Sequence, residues 1–123
     1  MSAPTERPIV LVVEDDAVVR SAAVETLEEA GFEAHQAGNG NEAIRHLDRT
    51  DGVRVVLTDI DMPLGIDGIK LAACIHRRWP RIGIVITSGK IRPEPGDVPA
   101  RGQFIPKPYT EAAILAAIRG LMA

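Results

Sequence analysis

Residues 53–72 read VRVVLTDIDMPLGIDGIKLA. A β-branched apolar run, Val53–Thr58, stops at the carboxylates Asp59 and Asp61, a turn containing Pro63 and Gly65 follows, and from Gly68 apolar residues return at three- and four-residue spacing. That is a strand, a loop and a helix. The same unit recurs on both sides. Strands are predicted at Ile9–Val13, Phe32–Gln36, Ile82–Thr87 and, more weakly, Gln103–Pro106. Helices are predicted at Ala17–Ala30, Asn41–Arg49, Gly68–Trp79 and Thr110–Met122. Gly31 suits the end of the first helix, Pro80 stops the third after Trp79, and Asp16 suits the N-cap of the first. Strands alternating with helices in one short chain imply a parallel sheet with helices on both faces, joined by right-handed crossovers. The fourth crossover, Ile91–Gly102, carries Pro93, Pro95, Pro99, Gly96 and Gly102, so at most a short or irregular helix is expected there.

Composition supports the same plan. A chain of 123 residues with 46% apolar content suits one domain. Its aromatics are only Phe32, Trp79, Phe104 and Tyr109, so aliphatic side chains must fill the core, as in buried parallel strands. The single cysteine, Cys74, excludes an internal disulfide, and MSAPTERP lacks the basic and apolar regions of a secretory signal. The apolar runs are too short to cross a bilayer, and a net charge of -3 gives no general attraction to nucleic acid. A cytoplasmic protein with neither membrane insertion nor direct nucleic-acid binding is expected.

In an open α/β sheet, ligands bind beyond the carboxyl ends of the strands. Here those ends read Glu14-Asp15-Asp16, Thr58-Asp59-Ile60-Asp61, Thr87-Ser88-Gly89 and Pro106-Lys107-Pro108. Carboxylates crowded at one rim repel one another and must protonate or share a cation. Mg²⁺ suits them, because it takes hard oxygen ligands and pairs with phosphate oxygens. A lysine and a hydroxyl aimed at the same point complete a site for phosphoryl transfer, with an Asp carboxylate as nucleophile. Each piece alone has a simpler reading: a solvated turn or N-cap for the acidic runs, a surface turn for Lys-Pro, an ordinary loop start for Thr-Ser-Gly. Four such strand ends on one rim are not explained that way.

The segments IVLVVEDD, VVLTDIDMP, DGIKLA, IVITSG and FIPKP, in this order, resemble the receiver domain of bacterial two-component response regulators, over about Ile9 to Met122. The resemblance implies a doubly wound five-stranded parallel sheet of flavodoxin-like order 2-1-3-4-5. It implies Asp59 as phosphoacceptor, with Mg²⁺ held by Asp15 directly, by Glu14 through water, by Asp59, and by the backbone carbonyl of Asp61. Lys107 matches the lysine that contacts the acceptor and then the phosphoryl group, and Pro108 the proline that follows a cis peptide bond. Ser88 rather than Thr87 matches the switch hydroxyl, because the family follows it with a small residue, here Gly89, and Thr87 points the other way by strand alternation. Phe104 matches the rotating aromatic that turns inward when Ser88 moves to the phosphoryl group. The implied partners are a sensor histidine kinase or histidine phosphotransfer protein, which would read the surface around the first helix, and a downstream protein target. Two departures stand out: the loop Leu64–Gly68 is one residue longer than the common form, and the Pro-rich Ile91–Gly102 replaces a regular helix of the usual output face.

Residues 1–8 read as a tail and 9–122 as the domain, with no effector domain after it, so a stand-alone receiver is expected. Ile114, Leu115, Ile118 and Leu121 on the last helix read as core, or as the face of a weak homodimer. His35, His46 and His76 fall on separate elements without a metal-ligand spacing and read as ordinary positions, as Cys74 reads as buried. Two rival functions exist. Asp59-Ile60-Asp61 resembles the Asp-x-Asp of haloacid-dehalogenase phosphatases, but that motif ends the first strand of its fold. A non-catalytic flavodoxin-like binding module would leave Lys107 and the carboxylates without roles.

Overall fold

The computed structural model describes residues 7–62 and 65–122. Most of the expected tail, together with Pro63 and Leu64 of the lengthened loop, lies outside the described residues. The elements run β1 (Ile9–Val13), α1 (Ala17–Glu29), β2 (Glu33–Ala37), α2 (Gly40–Arg49), β3 (Val53–Asp59), α3 (Gly68–Arg78), β4 (Gly83–Ser88), β5 (Gly102–Pro106) and α4 (Glu111–Met122). The strands pair in parallel in the order β2-β1-β3-β4-β5, as expected.

Strand alternation sorts the apolar residues onto two faces. Leu11, Val13, Val56, Ile84 and Ile86 pack with Ala43 and Leu47 of α2 and Leu71, Ala72 and Ile75 of α3. Val10, Val12, Val55, Leu57 and Val85 pack with Leu27 of α1 and Ile114, Ala117 and Ile118 of α4. Ile114 and Ile118 are thereby core residues, as read from the sequence. The central strands are apolar on both faces because both faces are covered.

The punctuation agrees with the sequence to within one residue. Asp16 caps α1 by accepting from the N–H groups of Val18 and Val19 at 2.9 and 3.1 Å. Gly31 follows α1 at φ +98°, a left-handed conformation that glycine adopts without Cβ strain. β2 begins at Glu33 rather than Phe32, whose ring is buried against the α1 and α4 layer instead of standing in the ladder. The fourth crossover holds only a single 3₁₀ turn, Pro95–Asp97, closed by reciprocal capping between Glu94 and Asp97. Its prolines leave too few backbone donors for more.

One expectation is corrected: Cys74 on α3 is half-buried rather than buried. His35 on β2 and His46 on α2 are half-buried on separate elements, as read, and the structure adds that they touch: His35 Nδ1 lies 2.7 Å from His46 Nε2, and His35 Nε2 lies 2.7 Å from Glu33 Oε2. Burial, His35 and Arg49 together push the His46 imidazole below its ordinary pKa. The contact depends on how α2 lies across the edge strand, which local sequence does not encode.

Candidate functional site

The carboxyl ends of β1, β3, β4 and β5 meet at one rim. β3 carries its ladder as far as Asp59, opposite Thr87 of β4, which fixes the Asp59 carboxylate at the carboxyl rim and leaves the residue 7% exposed. Glu14, also 7% exposed, follows the last residue of β1. One carboxylate oxygen each from Glu14, Asp15 and Asp59 come within 4.8 Å of one another, a group that could hold a metal ion.

Lys107 supplies the counter-charge. It follows β5, its N–H bonds the Ser88 carbonyl at 2.9 Å, and the Lys107–Pro108 peptide is cis, as the sequence implied. Its Nζ reaches Asp59 Oδ2 at 3.3 Å and Glu14 Oε1 at 3.6 Å. Burial pulls the ammonium down, but Asp59 and then Glu14 outweigh it and the net shift is upward. The lysine is therefore firmly charged. Glu14 is pushed up by burial and by the neighbouring acids, more than the Asp16 N–H and Lys107 pull it down. A single ammonium leaves the three acids under-neutralised, and hard oxygen donors in that state fit a divalent cation.

Asp59 Oδ1 accepts from the N–H of Asp61 at 3.2 Å, while Oδ2 faces Lys107, so both oxygens are oriented from protein donors. Directly behind, α3 begins at Gly68, where an added Cβ would lie 2.2 Å from the Asp59 carbonyl oxygen. Only glycine permits the helix to start so close to Asp59. Ser88 and Thr87 diverge as alternation predicts. Thr87 Oγ1 points back to the Thr58 carbonyl at 3.5 Å, whereas Ser88 Oγ donates to Asp61 Oδ2 at 3.1 Å. Ile84 and Ile86 belong to the core layer against which Phe104 packs, so Ser88, two residues on, stands on the side of Phe104.

Residues read from the sequence thus converge. The Asp61 side chain is bonded to Ser88 and stands apart from the Glu14, Asp15 and Asp59 group, and the role implied for Asp61 above uses only its backbone carbonyl. Two contributors were not read. Arg20 of α1 donates to the Glu14 carbonyl at 2.7 Å and to Gln36 Oε1 at 3.1 Å, tying the acidic turn down. Tyr109, half-buried against the α1 and α4 layer, lines the gap between those helices with Val19, Ala23 and Ile114. An arginine one turn into the helix after an acidic strand end was the available signal for the first.

Comparison with known proteins agrees with this geometry. Residues 10–119 match the family described as response regulator receiver domain. The sensor kinase CckA of Brucella abortus is 30% identical over 92% of this chain, and the transcriptional regulatory protein FixJ of Azorhizobium caulinodans is 32% identical over 94%. This chain spans 12% of the former and 55% of the latter. A response regulator receiver protein from Sinorhizobium medicae is 27% identical, with a TM-score of 0.88 over 95% of each chain. Neither the phosphatase reading nor the passive flavodoxin-like binder is favoured beside a family match across nearly the whole domain. By fold, rim and sequence alike, this chain belongs to the response regulator receiver domain family.

Proposed function

We propose that Asp59 accepts a phosphoryl group from a phosphohistidine donor with Mg²⁺ at the rim, and that the chain then changes its surface for a protein target. The observation that carries this reading is the contact of the Lys107 ammonium with Asp59 Oδ2 at the centre of the acidic group. Asp15 and Asp59 would hold the ion through carboxylate oxygens, Glu14 through water, and Asp61 through its carbonyl. Bound there, Mg²⁺ would neutralise the phosphoryl oxygens and keep the acids ionised together.

The chain's own residues supply the rest. A carboxylate oxygen of Asp59 attacks phosphorus, a P–O bond forms, and the P–N bond to the donor imidazole breaks with its electron pair returning to the ring. Lys107 then balances charge on the transferred group, and the Asp61 N–H keeps the acceptor oriented. Ser88 would donate to a phosphoryl oxygen, drawing Phe104 inward. The donor would approach over α1, where Val18 is 79% and Val19 39% exposed beside the acidic turn. The Pro-rich crossover, with Ile91 44% exposed at its start, would serve as the face that a target reads. No helix among the described residues is long and apolar enough to cross a membrane. Intact mass after incubation with acetyl phosphate tests the proposal: a phosphoryl adduct should form with Mg²⁺ and be absent with EDTA, whereas an adduct indifferent to Mg²⁺ would contradict it.

A further inference from the structure

Ser88 is 2% exposed, and its hydroxyl is already fully engaged. A serine hydroxyl has one proton to give and two lone pairs to offer. The proton goes to Asp61 Oδ2 at 3.1 Å, and the oxygen accepts from the backbone N–H groups of Lys90 at 3.2 Å and Ile91 at 2.8 Å. Asp61 meanwhile uses its own N–H to orient Asp59 Oδ1. One residue therefore touches the acceptor with its backbone and the switch hydroxyl with its side chain.

The geometry points to Asp61 as a lock on Ser88: its carboxylate holds the hydroxyl proton that a phosphoryl oxygen on Asp59 would otherwise receive. This rests on the reading of Asp59 as phosphoacceptor and adds how the resting form is kept. One proton cannot serve both acceptors at full strength, so phosphorylation must break a bond to a charged group before Ser88 can turn. Moving the oxygen also strips Lys90 and Ile91 of their acceptor. Those amides open the Pro-rich crossover, which holds only the 3₁₀ turn at Pro95–Asp97 and has no helix to absorb the change. The Ser88–Asp61 bond thus biases the two-state balance toward rest. A carboxylate acting by charge repulsion alone would need no contact with Ser88, and that difference is measurable.

Beryllofluoride, a phosphoryl mimic, is titrated with Mg²⁺ into the native chain, Asp61→Ala, Ser88→Ala and the double variant, while the Lys90 and Ile91 amides are followed by NMR. Asp61→Ala keeps the backbone carbonyl and N–H. The lock predicts about threefold to tenfold tighter binding by Asp61→Ala than by the native chain. It also predicts amide signals already displaced toward their bound positions before any addition, and loss of both gains in the Ser88→Ala background. Unchanged affinity of Asp61→Ala overturns the lock, as does an equal gain with and without the Ser88 hydroxyl, which would make Asp61 purely electrostatic. If the native chain binds no beryllofluoride, the phosphoacceptor reading fails and the lock, which rests on it, falls with it, whereas native binding with an unchanged Asp61→Ala affinity overturns the lock alone.

Discussion

The two ends of the sheet treat charge in opposite ways. At the carboxyl rim, Glu14, Asp15 and Asp59 crowd together, and the ammonium of Lys107 pairs with Glu14 and Asp59. At the amino end, where the helices finish, arginines meet an acid or a helix-end carbonyl. Arg54 donates to the Met122 carbonyl at 3.1 Å, Arg101 donates to the Leu121 carbonyl, and Arg78 pairs with Asp48 while its guanidinium stacks 4.4 Å from the Trp79 ring. The amino end satisfies the free carbonyls of α4 with cations, as a helix C-terminus favours. The rim leaves carboxylates under-neutralised, which costs stability in the isolated chain and makes a cation and a phosphoryl group welcome. The same sheet is built for stability at one end and for chemistry at the other.

The comparison breaks first at Gly68. Its missing Cβ lets α3 start against the Asp59 carbonyl, and the nearest atoms are backbone that cannot yield. Gly68→Ala should lower stability by about 3 kcal/mol in urea unfolding and displace the acceptor. A loss below that of an ordinary exposed substitution would mean the rim is looser than described.

A smaller effect should have the opposite sign. The Glu14 pKa is raised, chiefly by burial, so its ionised form weighs against the metal-free fold. Glu14→Gln should therefore stabilise the chain in EDTA by roughly 0.5 kcal/mol after allowing for solvent screening, read as a higher melting temperature. It should also reduce the further rise that Mg²⁺ gives the native chain. A lower melting temperature in EDTA would show that the Lys107 contact outweighs the repulsion.

The flank between the two ends can be tested by pH. The His46 pKa is lowered in the fold by burial, His35 and Arg49, with Glu33 and Thr50 also bonded into the chain of contacts. A depressed folded value contributes stability that is whole above the unfolded imidazole pKa and is lost as pH falls through the folded value. Unfolding free energy should thus decline from about pH 6.5 downward in the native chain. The decline should be shallower in His46→Gln, and identical slopes would remove the imidazole pair as its cause. Smallest of all, Arg54→Ala should cost under about 1 kcal/mol, since it removes one surface bond to a helix end.

Much of this contrast was legible in the sequence. Asp59, Glu14, Asp15 and Lys107 sit where short apolar runs stop, and a parallel sheet brings all such stops to one rim, so the site follows once the alternation is seen. The irregular fourth crossover was equally legible, because proline removes donors wherever it lies. What escaped depends on separations that local pattern does not encode. His35 and His46 meet only through the lie of α2 on the edge strand, and the arginine contacts at the amino end join residues 20 and 68 positions apart. Asp61 was read for its backbone, while its side chain reached a hydroxyl 27 positions away.

The most direct test of the account is to locate the phosphoryl group. The native chain is treated with acetyl phosphate and Mg²⁺, reduced with borohydride, which converts an aspartyl phosphate to homoserine, and mapped by tandem mass spectrometry beside Asp59→Asn. The account predicts homoserine at position 59 alone and no adduct in Asp59→Asn. A modified residue elsewhere on the rim, or an adduct that survives the substitution undiminished, would contradict it.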